Sequence, residues 1–371
     1  MIDAITTHHI ALPLDRELRT AIHRIRSIEN VLVEVSADGL RGIGYAFTFS
    51  QAQASAVRHL VHDLAGLLTG ADERSVRAHH GAMALRLNFT GDAGVGMLAL
   101  SALDTALWDL HARRAGMPLF RLLGGDRTAL PVYATGGWTS YPVERLVEEG
   151  QMYRDQGYRN YKIKIGMPDW RDDVERVHRL RDAVGDGLAI QVDANQAWNR
   201  VDALAAGRAF EEAGVYWYEE PVAAADIAGS AELARTLDVP IATGETVHGL
   251  TGFRPLVEGR AADVLMPDVM RVGGVTGFLD VAGFAAAHHQ IVSSHTFTEV
   301  SAHIMAALPN GTLVEYIPGW WDAMFADAPV VTGGEIHLSE RPGLGFTFSG
   351  EAVNRFAQGD PHTVRPGQGP A

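Results

Sequence analysis

The hexapeptide YKIKIG, residues 161–166, places two lysines at alternate positions of a strongly apolar run. Side chains two residues apart point the same way in a strand, so Lys162 and Lys164 share one face and the apolar side chains share the other. An edge strand often carries such lysines because they discourage pairing with other chains, and the pattern alone fits that role equally well. The segments that follow in the chain decide between the two interpretations.

Short apolar segments of this kind recur from about residue 130 onward. The predicted strands are PVYATGG at 131, NYKIKIG at 160, AIQVDAN at 189, VYWYEEP at 215, PIATGE at 240, DVLMPD at 263, QIVSSH at 290 and TLVEYI at 312. Runs with helical apolar spacing lie between them, and the alternation stops after residue 320. Eight strands with about seven helices predict a parallel (β/α) barrel. The alternative is a doubly wound open sheet, but the glycine-rich phosphate loop that would favour it is not found after the first strand.

The residues before the barrel predict a mixed α+β unit. NVLVEVSA (30–37) and RGIGYAFT (41–48) are predicted strands joined by a turn at Asp38 and Gly39. Helices are predicted from about residue 52 to 68 and from about residue 73. The segment at 97–116 is too continuously apolar for a surface helix, so we expect it to pack between two layers.

Composition excludes several classes of function. The formal net charge of −14 argues against a nucleic-acid partner, which needs a basic surface. No apolar run approaches the roughly 18 residues that a membrane helix needs. The N-terminal residues lack a basic segment and an uninterrupted apolar core, so we expect no secretory signal. The absence of cysteine excludes disulfides and thiol catalysis and fits a cytoplasmic protein. Large barrels often assemble as symmetric homo-oligomers, which is our expectation here.

Three successive predicted strands end in an acid: Asp193, Glu219 and Glu245, 26 residues apart in each case. Strand ends of a (β/α) barrel meet at one mouth, where three carboxylates without a cation would repel each other. Mg²⁺ is the natural counter-ion for oxygen ligands, with Mn²⁺ as a possible substitute. The alternative is that each acid caps the helix after its strand. That interpretation is reasonable for one acid and weaker for three in succession.

Two further strand ends carry Asp268 and His295, and a carboxylate bonded to one ring nitrogen would orient the imidazole as an acid or base. Lys164 would stand opposite, beside Lys162 and near the metal. A neighbouring positive charge lowers the pKa of an amine, so we expect Lys164 to act as a base. The paired lysines are therefore interpreted as lining a charged cavity.

The ordered motifs resemble those of the enolase superfamily, and specifically its mandelate racemase subgroup. They are ALDTALWDLHARRAGMPLFRLLGG before the barrel, then KIKIG, VDANQ, WYEEP, GE at 244–245, MPDVMRVGGVTG, SSH and VEY. The resemblance implies a modified TIM barrel, (β/α)7β, with an α+β capping domain built from the N-terminal part and the C-terminal tail. The expected bounds are 1–126 for the capping domain, 127–322 for the barrel and 323–371 for the returning segment.

The resemblance also implies a role for each site residue. Asp193, Glu219 and Glu245 would bind Mg²⁺. Lys164 would act as a base assisted by Lys162, and His295 would form an acid/base dyad with Asp268. Glu315 would form a hydrogen bond with the substrate carboxylate, and Asn195 would lie beside the substrate oxygens. The chemistry shared by the family, which uses Lys or His as a base, is removal of a proton α to a carboxylate. His295, in place of a second catalytic lysine, argues against the muconate-lactonizing subgroup.

The substrate should be read from the segment at 15–30, which carries several cations. We expect Arg19, His23 and Arg26 to contact a polyhydroxylated acid, since arginine binds carboxylates in bidentate fashion. This favours an acid-sugar (aldonate or aldarate) dehydratase that forms a 2-keto-3-deoxy acid. A 2-hydroxyacid racemase or epimerase is the alternative, because Phe47, Phe49 and the tryptophans at 320 and 321 would suit an aromatic substrate. A metal-stabilised binding protein with a retired site is the non-enzymatic alternative, and the intact acid/base residues argue against it.

Overall fold

The computed structural model describes residues 1–367 and begins with an antiparallel sheet followed by helices. These elements are β1 Ala4–Arg19, β2 Arg24–Ala37, β3 Leu40–Thr48, α1 Gln51–Leu68, α2 Val76–Leu87, α3 Val95–Arg114 and α4 Leu119–Leu122. The two predicted strands and the turn between them are confirmed. The 16-residue β1 was not predicted. The alternation of apolar and polar residues along β1 is hard to recognise in the sequence, because the polar His9 is buried and lies 2.8 Å from a Glu29 oxygen on β2.

The central part of the chain alternates strands and helices as predicted. The strands are β4 Ala129–Gly136, β5 Asn160–Lys164, β6 Ala189–Asp193, β7 Trp217–Glu219, β8 Ile241–Thr243, β9 Val264–Leu265, β10 Ile291–Val292 and β11 Val314–Tyr316. The helices are α5 Val143–Asp155, α6 Trp170–Val184, α7 Arg200–Glu212, α8 Ile227–Thr236, α9 Gly249–Glu258, α10 Val269–Val272, α11 Gly274–Ala287 and α12 Thr298–Met305. All eight predicted strands are present.

The strands form a ring in chain order. β4 to β10 pair in sequence as parallel neighbours, and β11 pairs in parallel with β4. β10 reaches the residues just before β11 through hydrogen bonds from Thr312 N to Val292 O (2.8 Å) and from Ser294 N to Leu313 O (3.1 Å). The alternative of a doubly wound open sheet is therefore wrong. Large side chains such as Tyr133 and Trp217 fill the inside of the ring.

The C-terminal segment returns to the N-terminal sheet. Its elements are β12 Phe325–Ala326, β13 Val330–Thr332, β14 Glu335–His337, β15 Thr347–Phe348, α13 Gly350–Phe356 and β16 His362–Val364. β14 pairs with the start of β4, and β16 pairs with β1. The domain bounds at residues 126 and 322 stay predictions. No helix within residues 1–367 has both the length and the apolar composition needed to cross a membrane.

Helix α3 lies between two layers, as predicted. On one side it meets β3 so closely that a Cβ on Gly44 would lie 2.1 Å from the carbonyl oxygen of Ala102. On the other side Asp104 accepts hydrogen bonds from the backbone N (2.9 Å) and the hydroxyl (2.7 Å) of Thr276 on α11. A helix buried on both sides explains why the segment is continuously apolar.

Replacing Gly44 with alanine should lower the free energy of unfolding by about 1–3 kcal/mol or more, because the new methyl group would overlap the α3 backbone. Gly81→Ala is the matched control: it lies in α2 with open space at its Cβ position. That change should stabilise by about 0.5–1 kcal/mol through helix propensity. Denaturant unfolding of both variants checks this, and equal stability of Gly44→Ala and the wild type would contradict the close packing.

Asp104 should give the stability a specific pH dependence. Burial raises the pKa of this carboxyl to about 7, although the bonds from Thr276 oppose the shift. The folded state then holds the proton over a pH range in which the unfolded state releases it, so stability falls as pH rises from about 4 to about 7. Asp104→Asn should remove a slope of up to about 1.4 kcal/mol per pH unit in urea unfolding. Parallel curves for the variant and the wild type would show that Asp104 does not titrate in this window.

Candidate active site

The three acids at the ends of β6, β7 and β8 meet as predicted. Asp193 and Glu219 end their strands, and Glu245 lies two residues beyond β8. One carboxylate oxygen from each lies within 4.8 Å of the others, and all three side chains are buried. The helix-cap alternative is wrong for these acids, because the caps of the following helices are Asn199, Asp226 and His248. We call Asp193, Glu219 and Glu245 the acidic triad.

The chain leaves each strand sharply at the triad. Asn195 has a φ of +43° and Glu220 a φ of +40°, in the left-handed region that costs a residue other than glycine free energy. The turn lets Asn195 N donate to Asp193 Oδ1 at 2.8 Å, while its side-chain amide donates to Oδ2 at 3.1 Å. Trp217 Nε1 donates to Glu219 Oε2 at 3.0 Å. Each of these bonds fixes the direction of a triad carboxylate.

The paired lysines of β5 neutralise the acids from one side. β5 lies between β4 and β6, and both lysines are buried, so the edge-strand interpretation is wrong. Lys162 Nζ lies 2.7 Å from Glu219 Oε1 and 3.0 Å from Glu315 Oε1. Lys164 Nζ donates a hydrogen bond to Asp193 Oδ2. The prediction that both lysines line a charged cavity therefore holds for Lys164 but not for Lys162, which is fully buried.

The prediction of a lowered pKa for Lys164 is wrong for this set of side chains. Burial and the charge of Lys162 do lower it, but Asp193 bonds the ammonium directly and the pKa of Lys164 is raised. Burial likewise lowers the pKa of Lys162, and Glu219 and Glu315 outweigh it. A divalent cation on the same carboxylates would compete for their charge and weaken this attraction. The direction of the shift thus depends on what the triad binds.

The donor set of the triad fits a hard divalent cation. Burial raises the pKa of Glu219 well above its ordinary value, and Asp193 and Glu245 add to the shift while Lys162 opposes it. Two buried acceptors at the triad, Glu245 Oε2 and Asn195 Oδ1, receive no hydrogen bond within the described residues. Carboxylate and amide oxygens that lack a donor are the ligands that Mg²⁺ prefers. The triad is therefore a buried site able to hold a metal ion.

An imidazole approaches the triad from the other side. Asp268 Oδ2 lies 2.6 Å from His295 Nδ1 and also accepts from the hydroxyl of Thr296 at 2.9 Å. This bond leaves Nε2 of the ring 3.2 Å from Glu245 Oε2. Asp268 also caps α10 by accepting from the backbone N of Met270 at 2.7 Å, so one carboxylate both caps a helix and contacts the imidazole. Burial opposes ionisation, but Arg271 and His295 hold the pKa of Asp268 below its ordinary value.

Glu315, at the centre of β11, completes the ring of charged groups. Thr135 Oγ1 donates to its Oε1 at 2.5 Å, and the backbone N of Thr296 donates to its Oε2 at 2.8 Å. Lys162 holds Oε1 as well, and these contacts hold the pKa of Glu315 at about 2 despite its burial. The structure thus brings Glu315 to the same mouth as the triad and the two bases.

These groups open into a narrow cavity of ≈ 60 Å³. Six of the predicted residues line it: His23, Lys164, Asn195, Glu245, His295 and Glu315. The expected role of Arg19 and Arg26 is not supported, since both are exposed and bond to Glu17 at 2.7 and 2.8 Å. The segment at 15–30 is mostly strand and reaches the cavity through Thr20, His23 and Ile25, while its arginines are exposed.

The opposite wall of the cavity is aromatic. Phe47, Phe49, Trp138 and Trp320 line it, and the last two stack with their ring centroids 5.7 Å apart. Trp138 was missed because it follows β4 in a segment that has no apolar periodicity. Arg271 also lines the cavity and donates to the carbonyl of Glu245 at 2.6 Å. Its spacing of three residues from Asp268 is the signal that could have identified it.

Comparison with known proteins assigns the chain to a family. Residues 2–124 match the mandelate racemase / muconate lactonizing enzyme N-terminal domain, and residues 145–353 match the enolase C-terminal domain-like family. This chain belongs to the mandelate racemase / muconate lactonizing enzyme family. The resemblance drawn from the sequence is thereby confirmed.

Three relatives of this family are informative. The chain is 34% identical to the 3,6-anhydro-alpha-L-galactonate cycloisomerase of Streptomyces coelicolor, covering 97% of this chain and 100% of the relative. It is 35% identical to the L-talarate/galactarate dehydratase of Salmonella typhimurium, covering 88% and 82%. A crystal structure of L-talarate dehydratase from Polaromonas sp. JS666 with Mg and L-glucarate superposes with a TM-score of 0.90 at 32% identity, covering 98% and 99%. The chain is therefore an enzyme of this family, and a solved relative holds magnesium.

Glu219→Gln should abolish tight Mg²⁺ binding, because it removes a triad charge and leaves an amide that coordinates weakly. Titration calorimetry with Mg²⁺ checks this, with Glu258→Gln on the exposed face of α9 as the control. The control should bind as the wild type does. An unchanged affinity in Glu219→Gln, or full activity of the wild type in EDTA, would contradict the metal assignment.

Proposed function

We propose that this chain is a Mg²⁺-dependent acid-sugar dehydratase. It would remove the proton α to the carboxylate of an aldonate or aldarate, eliminate the β-hydroxyl as water and release a 2-keto-3-deoxy acid. The observation that carries the proposal is the arrangement of two proton-transfer groups around the acidic triad. Lys164 bonds Asp193 from the β5 side, and His295 approaches Glu245 from the β10 side.

The acid/base roles follow from the hydrogen bonds. When bound, Mg²⁺ would supply Lewis-acid stabilisation of the substrate carboxylate. Lys164, once neutral, would take the α-proton, and the positive charge of Lys162 would stabilise the negative charge that develops on the carboxylate oxygens. Breaking the C–O bond at the β-carbon then moves the electron pair to the leaving oxygen.

His295 is the residue placed to protonate the leaving group. Asp268 accepts a hydrogen bond from Nδ1, so Nε2 is the ring nitrogen that faces the cavity, and in the imidazolium form it carries a proton that it can give away. That proton would pass to the β-oxygen, and water would leave. The resulting enol gains a proton at the β-carbon and loses its hydroxyl proton to give the 2-keto-3-deoxy acid, so atoms and charge balance.

The names of the relatives support a small polyhydroxylated carboxylate as the substrate. The dehydratase of Salmonella typhimurium acts on talarate and galactarate, and the Polaromonas structure contains L-glucarate. The arginines at 19 and 26 do not support an acid-sugar substrate, because both are exposed and bond to Glu17. Assembly as a homo-oligomer and a cytoplasmic location stay predictions.

A 2-hydroxyacid racemase or epimerase is the second candidate, and the aromatic wall favours it. Phe47, Phe49 and Trp320 would pack against an apolar substituent better than against hydroxyl groups. The same two proton-transfer groups would serve, with one removing the α-proton and the other returning a proton to the opposite face. The non-enzymatic alternative has no support, because both proton-transfer groups are intact and the chain belongs to an enzyme family.

A panel of aldonic, aldaric and mandelate-type acids distinguishes the two candidates. With Mg²⁺ present, a colour test for 2-keto acids should be positive for at least one acid sugar and negative for the mandelate-type acids. Racemisation of a mandelate-type acid, followed by polarimetry, without keto acid from any sugar would overturn the dehydratase proposal in favour of the second candidate.

Single-base variants should separate proton exchange from net turnover. Lys164→Ala and His295→Asn should each lower net turnover by at least about 100-fold, since general acid–base groups contribute that much. Each variant should still exchange the α-proton of a reactive acid in D₂O on the face served by the remaining base. Proton NMR follows the exchange, and wild-type turnover in either variant would refute the two-base scheme.

A further inference from the structure

A fourth acid, Glu220, stands next to the triad and is used by no step of the proposed reaction. It follows Glu219 directly and is 1% exposed. It does not belong to the group of oxygens that the triad brings together. A buried carboxylate is costly unless its oxygens accept hydrogen bonds, so the partners of Glu220 indicate its role.

Both oxygens of Glu220 are bonded to side chains from neighbouring loops. Thr246 Oγ1 donates to Oε1 at 2.8 Å, and Gln196 Nε2 donates to Oε2 at 3.1 Å. Gln196 Nε2 also lies 3.5 Å from Thr246 Oγ1, so the three side chains form a closed triangle. The backbone N of Ala224 donates to Gln196 Oε1 at 2.8 Å and fixes the orientation of that amide.

The members of this triangle come from the loops that follow the three strands at whose ends the triad lies. Gln196 lies three residues after Asp193, and Thr246 directly follows Glu245. Glu220 directly follows Glu219. Each of the three strand ends therefore carries one triad acid, and the loop there supplies one side chain to the triangle.

The backbone of these loops is held in a costly conformation. Gln196 has a φ of +65° and Glu220 a φ of +40°. A residue other than glycine pays about 1–3 kcal/mol in that region, so the loops would relax if the bonds that hold them were removed. Two backbone bonds also join the segments after β6 and β7, from Gln196 N to Glu220 O at 2.8 Å and from Ala194 N to Glu219 O at 3.0 Å.

We propose that Glu220 is a positioning residue for the metal site. Its two bonds hold the loops after β6, β7 and β8 at a fixed spacing, and this spacing sets the affinity of the triad for a divalent cation. Residues that orient metal ligands typically change metal affinity by about 10–100-fold when they are removed. The inference rests on the metal site of the proposed function and not on the identity of the substrate.

Mn²⁺ binding without substrate, measured by electron paramagnetic resonance, tests the inference. Glu220→Ala removes both bonds and should raise the Kd by at least about 10-fold. Glu220→Gln should stay within about threefold of the wild type, because its amide can accept from Gln196 through oxygen and donate to the Thr246 hydroxyl. Unchanged affinity in Glu220→Ala would overturn the proposal. Equal weakening in both variants would also overturn it, because the charge of Glu220 and not its bonds would then matter.

A second buried acid provides the matched control. Asp173 accepts from the backbone N of Gly166 and Met167, in the loop after β5, which carries no triad residue. Asp173→Ala should lower the Tm and leave the Kd for Mn²⁺ unchanged, and weakening equal to that of Glu220→Ala would overturn the proposal.

If Glu220→Ala does not fold, Thr246→Val removes one bond of the triangle without changing side-chain size. This variant should raise the Kd by at least about threefold, and an unchanged Kd would contradict the inference. A negative result in the substrate panel does not affect these binding measurements. Failure of the proposed function and failure of this inference can therefore be distinguished.

Discussion

Mutual repulsion among three buried carboxylates is the constraint on which the rest of this structure depends. Acids this close and this buried are stable only if positive charge lies among them. The fold supplies part of that charge from β5, where Lys162 and Lys164 touch Glu219 and Asp193. An oxygen-rich cluster held by two ammonium groups and an imidazole has the charge pattern needed to bind a cation together with a carboxylate.

Strand register places these groups with little dependence on side-chain flexibility. Asp193 is paired across the sheet with Lys164 on one side and with Glu219 on the other. The charges therefore stand in adjacent rows fixed by backbone hydrogen bonds. The capping sheet contributes a different kind of surface, because Phe47 and Phe49 line the cavity beside Trp138 and Trp320 of the barrel. The charged groups of the cavity thus come from the barrel, and the capping sheet adds part of its aromatic lining.

The barrel and its charged mouth could be predicted because each rests on a local, repeated pattern. Alternating apolar residues mark a strand, and an acid at its end is placed by the geometry of parallel strands. Features set by long-range contacts could not be read in this way. β1 contains inward-facing polar residues whose partners lie on another strand, and Arg19 bonds Glu17 and does not line the cavity. The raised pKa of Lys164 depends on a direct bond to Asp193, which spacing along the chain does not show.

A crystal of the protein soaked with Mn²⁺ gives the most direct measurement of the central claim. Anomalous diffraction should show one strong peak bonded to an oxygen from each of Asp193, Glu219 and Glu245, with Lys164 and His295 on opposite sides of it. A peak elsewhere in the chain, or both of those side chains on one side of the ion, would contradict the account.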